Sequence, residues 1–413
     1  MPDVSFVNLL VVAAVAVAAP LTVGCLPRLR VPAVVLEIVG GIIIGPSVLG
    51  WVHVDLPVAI LALFGLAFLL FLAGLEIDVH RLRGRLLRFA VLGYLVTLVL
   101  GYGAGASFTA VGWVSQPLLL AIALSATSLG LVVPVLKDAG QVRGQVGQTA
   151  LAAASIADFA AIVLLSLFFS SSGGSTGSKV VVLGAFAGLV AVTGLVVSGA
   201  ARSMRLGQVL VRLQDTTAEI RIRCAVLLLV AFTVLAEKFG LESILGAFLA
   251  GAIVGLVDRD SSSHPRFRAK LEAIGYGFLV PVFFVSSGIR LDLTGLLHNP
   301  SALIRVPVFL LALLVVRGVP ALLGLRANGP KATLALGLLQ ATSLPFLVTV
   351  TQIGVALGKI TPVTAAALVC AGLLSVLIFP LLALTLLRRA KPEPAEPETA
   401  ITPAEPVPEP HLM

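Results

Sequence analysis

The sequence predicts an all-α polytopic membrane protein of about thirteen transmembrane helices, with two inverted five-helix repeats and two discontinuous helices within them. Three observations predict it. The chain is 58% hydrophobic and only 12% charged, with a mean hydropathy of +1.09, whereas a soluble domain carries about 25% charged residues. Apolar runs of bilayer length alternate with short, mostly basic loops along nearly the whole chain. Three short motifs also recur in the same order in the two halves.

Taken in order, the apolar runs place spans 1 to 13 at residues 5–24, 32–50, 57–76, 88–109, 116–136, 147–170, 179–200, 220–238, 242–257, 271–289, 302–325, 331–356 and 361–387, each bounded by charged residues or Gly/Pro breaks. The first run has no basic segment before it, and Arg28 and Arg30 come after it, so it reads as a retained span and not a signal peptide. Loops after odd-numbered spans hold Arg28, Arg30, Arg81, Arg83, Arg85, Arg88, Lys137 and Arg143. They continue with Arg202, Arg205, Arg212, Arg221, Arg223, Arg259, Arg266, Arg268, Lys270, Arg326, Lys331, Arg388, Arg389 and Lys391. Loops after even-numbered spans hold only Lys179, Lys238, Arg290 and Lys359, with Arg305 at a helix start. This asymmetry predicts an N-terminus outside and a C-terminus in the cytoplasm of a multi-pass inner-membrane protein. The net charge of +8 is therefore loop charge in contact with a lipid bilayer, and no nucleic-acid partner is implied. Residues 1–390 are expected to form one transmembrane unit, and the Pro/Glu run 391–413 a disordered cytoplasmic tail.

The repeat is visible in matched segments. Span 2 begins Leu36-Glu37-Ile38-Val39-Gly40-Gly41 and span 9 Leu241-Glu242-Ser243-Ile244-Leu245-Gly246. Span 3 ends Gly74-Leu75-Glu76-Ile77-Asp78 and span 10 Gly288-Ile289-Arg290-Leu291-Asp292. Span 5 carries Ala126-Thr127-Ser128-Leu129, and span 12 Ala341-Thr342-Ser343-Leu344. Matched spans lie seven apart, an odd number, so the two copies must cross the membrane in opposite senses. Inverted repeats of this kind mark secondary transporters, whose site lies at the midplane between the halves.

Asp158 sits in the middle of the apolar run of span 6, roughly 17 Å into a hydrocarbon core about 30 Å thick. An Asp at that depth costs about 3 kcal/mol even on insertion scales, so it faces a bundle interior or a water cavity and binds an ion or a proton, or else pins two helices by hydrogen bonds. It is the only carboxylate deep in a span; Glu37, Glu76 and Glu242 lie close enough to span ends to reach the interface. Hydroxyls and helix breakers recur at membrane depth, with Ser125, Thr127, Ser128, Gly130 and Pro134 in span 5 and Thr342, Ser343 and Pro345 in span 12. Broken helices are tolerated there where they are buried in protein or line a cavity, and their carbonyls and hydroxyls are hard oxygen ligands for a small cation. Arg317, mid-span in span 11, is a second intramembrane charge that requires a counter-charge, helix carbonyls or an anionic substrate. Cys25, Cys224 and Cys370 have no disulfide or zinc spacing, and the histidines form no metal motif, so neither a cofactor nor an enzymatic nucleophile–base pair is expected.

Six segments together resemble the monovalent cation:proton antiporter family, which includes sodium/proton and potassium/proton exchangers. They are LEIVGGIIIGPSVLG (36–50), FLLFLAGLEID (68–78), ALSATSLGLVVPVLKD (123–138), ASIADFAAIVLL (154–165), LGAFLAGAIVG (245–255) and PVFFVSSGIRLDL (281–293). The resemblance implies a thirteen-span homodimer with a dimerisation domain and a mobile core interleaved in sequence. It implies two crossed, unwound helices at Ala126, Thr127, Ser128 and at Thr342, Ser343, Pro345, with Asp158 as the ion- and proton-binding carboxylate and Arg317 as a core-stabilising charge. Thr127 and Ser128 are then expected as ligands beside Asp158. Many relatives carry Asp, Asn or Gln immediately before the essential aspartate, where this chain has Ala157; Ser155, one helical turn earlier, is placed to supply an oxygen instead. The expected activity is exchange of Na+ or K+ for H+, electroneutral because Ala157 cannot titrate. The alternative is a sodium-coupled symporter of an organic anion held by Arg317.

Overall fold

The computed structural model describes residues 5–25, 31–76, 84–128, 132–133, 136, 141, 144–169, 176–201, 219–257 and 265–389. Every one of the thirteen predicted spans contains helix, and no strand occurs among the described residues. Seven helical stretches are long and apolar enough to cross a membrane, one of them (Pro300–Ala356) holding spans 11 and 12, and three shorter apolar helices accompany them. The tail beyond residue 390 and half of the arginines in the loops after odd-numbered spans lie outside the described residues.

Local chemistry explains the helix ends. Span 3 (Leu56–Leu75) starts where Asp55 accepts the Val58 N–H at 3.2 Å and Pro57 opens the first turn. Span 2 is shorter than the apolar run predicts, ending at Ile44, because Gly45 is extended ahead of Pro46 and the chain turns before Gly50 at φ +65°. Gly329, at φ +74°, ends one helix so that Pro330 can begin span 12. Span 11 is irregular: a helix at Arg305–Leu313 passes into a π turn at Leu314–Gly318 and a 3-10 stretch at Val319–Gly324.

The spans pack as two six-helix bundles. Span 1 (Val7–Cys25) packs on spans 2 and 10, span 3 on spans 9 and 10, and span 8 (Ile220–Lys238) on span 9 (Ser243–Val257). The second bundle joins span 4 (Gly84–Ala110) to spans 5, 6 and 11, span 12 to spans 5, 6, 11 and 13, and span 13 (Pro362–Arg389) to span 11. Span 7 (Thr176–Ala201) touches span 6 in one bundle and span 9 in the other. These pairings obey the predicted repeat: exchanging spans 2 with 9 and 3 with 10 turns the 2–10 contact into the 3–9 contact. Spans 1 and 8 take equivalent places as well, a relation the sequence motifs do not reveal.

Glycines weld the first bundle. A Cβ on Gly41 would run into the Val285 carbonyl, one on Gly288 into that of Ile38, one on Gly74 into that of Phe248, and one on Gly251 into that of Phe71. Without them, the backbones of spans 2 and 10, and of 3 and 9, could not come this close. In lipid, where no hydrophobic effect drives helices together, such close approach is what holds them.

Candidate functional site

The site is built where spans 5 and 12 stop being helical. Span 5 is helical over Pro117–Ser125, after which Ala126 is extended; span 12 is helical to Gln340 and resumes at Pro345–Ala356. Pro345 enforces the second break, since its ring would clash with the carbonyl four residues back in a continuous helix. The two unwound segments cross and bond to each other: Ser128 N–H donates to the Thr342 carbonyl at 2.9 Å, and Leu344 N–H to Ser128 Oγ at 3.0 Å. Gly130 and Pro134 lie outside the described residues.

Span 6 (Gln145–Phe169) brings Asp158 to this crossing, where its Oδ1 accepts the Thr127 N–H at 3.1 Å. Asp158 is only partly buried, whereas Ala157 beside it is fully enclosed. Ser155 is buried one turn earlier, and none of the described hydrogen bonds joins it to Asp158. The second repeat has a corresponding contact. Ser343 N–H donates to Ser375 Oγ of span 13 at 3.2 Å, and that hydroxyl donates to Gly372 O at 2.7 Å.

Arg317 reaches the crossing from the π turn of span 11 and is 1% exposed. Its Nε donates to Thr127 Oγ1 at 2.9 Å, a terminal nitrogen bonds the same hydroxyl, and the other donates to Thr97 Oγ1 of span 4 at 3.3 Å. Nε also lies 3.4 Å from the Gln340 carbonyl, which ends the first half of span 12. The negative end of the first half of span 12 thus faces the guanidinium, and Asp158 is within its electrostatic reach. Thr127 Oγ1 itself donates to the Gln340 carbonyl at 2.7 Å. Its hydroxyl is therefore fully engaged, and it meets Asp158 through its backbone. Ser128 Oγ accepts the Leu344 N–H, which fills one of its two acceptor sites.

Sequence reasoning missed four members of this network. Tyr94 bonds Ser125 at 3.1 Å between the hydroxyls; the others are Thr97, Gln340 and Ser375. Gln340, a buried amide next to the ATSL motif, was the one signal available, and its Nε2 has no hydrogen-bond partner among the described residues. Glu37 also departs from expectation: it does not reach the interface but is 5% exposed in span 2, with no hydrogen bond to its carboxyl among the described residues. No group of three or more His, Cys, Asp or Glu able to hold a metal ion occurs among the described residues.

Comparison with known proteins places this arrangement. Residues 12–388 match the model of the family described as "Sodium/hydrogen exchanger, transmembrane". YjbQ of Bacillus subtilis is 31% identical over 97% of this chain, which spans 66% of that protein's length. A Na(+)/H(+) antiporter of Enterococcus hirae is 30% identical over 64% of this chain and 68% of its own. The solved structure of the sodium proton antiporter MjNhaP1 from Methanocaldococcus jannaschii superposes with a TM-score of 0.66 at 22% identity, covering 91% of this chain and 97% of that one, and shows a common fold. None of these supports an organic-anion symporter. The chain belongs to the sodium/hydrogen exchanger family of membrane antiporters, which are transporters and not enzymes.

Proposed function

We propose that this chain exchanges a monovalent cation, Na+ or K+, for H+ at Asp158 by alternating access, one for one. The observation that carries the proposal is the half-buried Asp158 carboxylate bonded to the unwound backbone of span 5. A proton and a cation compete for that carboxylate, and only the neutralised site crosses the low-dielectric interior. Asp158 holds the ion, with Ser155 as the uncommitted hydroxyl nearest in sequence. Thr127 and Ser128 hold the crossing in shape, and Arg317 balances the half-helix carbonyls. The bundle of spans 4–6 and 11–13 is the moving core, and that of spans 1–3 and 8–10 the scaffold on which a second copy forms a homodimer. The N-terminus faces outward and the C-terminus the cytoplasm, as the basic loops require.

The test is cation-dependent dequenching of a pH-sensitive dye in proteoliposomes holding a proton gradient. Na+, K+ or both should restore fluorescence. Failure of every monovalent cation would overturn the reading, and uptake of a labelled organic anion driven by Na+ would replace it.

A further inference from the structure

The second bundle carries a groove of about 440 Å³ between the irregular part of span 11, the first half of span 12 and the last turns of span 13. Its walls are almost wholly apolar, and Leu322, Leu334 and Leu382 stay exposed along it, as side chains that face hydrocarbon do. The groove follows span 11 from Leu314 to Leu322 (322 − 314 = 8 steps), which at 1.5–2.0 Å per residue is about 12–16 Å. That is the depth of one leaflet, half of a hydrocarbon core about 30 Å thick. Gly318 and Gly337 also line it and put no side chain into it; a Cβ on Gly337 would come to 3.1 Å from the Gly318 carbonyl.

One end of the groove is basic. Arg326 lies one turn beyond Leu322 and Lys331 one turn before Leu334; both are exposed, and neither pairs with a carboxylate among the described residues. Spans 4, 11, 12 and 13, which pack together here, contain no Asp or Glu at all. Thr333 lines the same end, is 1% exposed, and its Oγ1 has no hydrogen-bond partner among the described residues. A helical threonine can donate to the carbonyl four residues back, but that residue is Gly329, whose φ of +74° and ψ of 168° are not helical. A buried hydroxyl left without a partner in the chain calls for one from outside it. The other end of the groove stops at Leu314–Gly318, the π turn that carries Arg317 to the crossing.

We propose that this groove binds an anionic phospholipid, with one acyl chain lying along span 11 and the phosphate held by Arg326 and Lys331. Thr333 then donates to a headgroup or ester oxygen. Basic pockets between transmembrane helices on the cytoplasmic side take such headgroups, and this is the end that the basic loops assign to the cytoplasm. The occupant packs against the turn that carries Arg317, so it braces the crossing from behind and ties the stability of the core to the lipid. Binding does not depend on which ion is exchanged.

The experiment adds dioleoyl phosphatidylglycerol, dioleoyl phosphatidylcholine or glycerol 3-phosphate to the purified chain in detergent. It reads the melting temperature and, by native mass spectrometry, the lipid adducts. Phosphatidylglycerol alone should raise the melting temperature and remain as one adduct per chain. Arg326→Ala combined with Lys331→Ala should weaken it about fivefold per residue, whereas Lys359→Ala, at the other end of the bundle, should change nothing. Thr385→Trp fills the groove from an exposed position where the hydroxyl bonds only the Leu382 carbonyl of its own helix, at 2.7 Å. That variant should lose the adduct with both basic residues in place. Equal stabilisation by phosphatidylcholine, stabilisation by glycerol 3-phosphate, or an undiminished adduct in either the double or the Thr385→Trp variant would overturn the proposal. In proteoliposomes the parent's exchange should rise with the phosphatidylglycerol fraction and that of Thr385→Trp should not; a parental rate indifferent to the lipid would overturn the link to the crossing. Because binding is read without transport, a chain that exchanges no cation would remove the antiport reading alone.

Discussion

The two halves of the crossing solve the same geometric problem with different chemistry. In each, the helix that follows the unwound segment reaches back to cap one of its backbone N–H groups: Asp158 caps Thr127 across 31 residues, and Ser375 caps Ser343 across 32. Ser375 is neutral and fully buried, and its proton has a carbonyl partner. Asp158 is ionisable, partly open, and within electrostatic reach of a guanidinium fixed by other groups. Holding an unwound helix in the membrane therefore needs only a hydroxyl. The carboxylate exceeds that structural need, and the excess is what a transported cation or proton can use.

The sharpest way to break this comparison is Asp158→Asn, which keeps an oxygen acceptor for Thr127 and removes the charge. Exchange should fall to the level of empty liposomes while the protein elutes from size exclusion as the parent does. Wild-type exchange by the folded variant would place the site elsewhere. Next in size is Arg317→Ala, which strips the hydrogen bonds from Thr127 and Thr97. Bonds to a charged group contribute about 1.5–3 kcal/mol each, so the melting temperature in detergent should drop clearly and most activity should be lost. Arg317→Lys should retain part of both. Ser375→Ala should cost about 1 kcal/mol in stability and leave exchange near the parental rate; abolished exchange in a stable variant would make the two halves functionally equal.

The smallest expected effect is none at all. With Ala157 enclosed beside Asp158, the proton-loaded and cation-loaded sites carry the same charge. A 100 mV potential set by K+ and valinomycin should then leave the pH gradient at which Na+ exchange reverses where it was. An electrogenic cycle would feel about 2.3 kcal/mol per net charge. Should the reversal point move, Glu37 becomes the second carrier to test, and Glu37→Gln should restore voltage independence.

Much of this was legible in the chain. Asp158 announced itself by the expense of a carboxylate at mid-span, the two ATSL motifs marked where helices unwind, and the family resemblance implied that they cross. The sequence could not show what the hydroxyls do once there. Thr97 bonds back to Gly93 at 3.0 Å, as a threonine in any helix can, and only the fold brings Arg317 to it. Thr127 was expected as an ion ligand, but its oxygen is already taken by Arg317 and Gln340 through pairings set by tertiary packing. Glu37 was expected at the interface because position along a span says nothing about which neighbour covers it.

The glycine contacts also govern how the molecule can be made. Gly74 meets span 9 and Gly251 meets span 3, so each of these surfaces waits for a partner about 177 residues away in the chain (251 − 74). At about 5–20 residues per second of synthesis, the first half resides in the bilayer for roughly 10–35 s before its partners emerge. Through that interval span 2 carries Glu37 into the membrane without the burial it finally acquires. Neither half can complete its own bundle, so assembly is a late, all-at-once event of high contact order, and the two halves become stable only by interlocking.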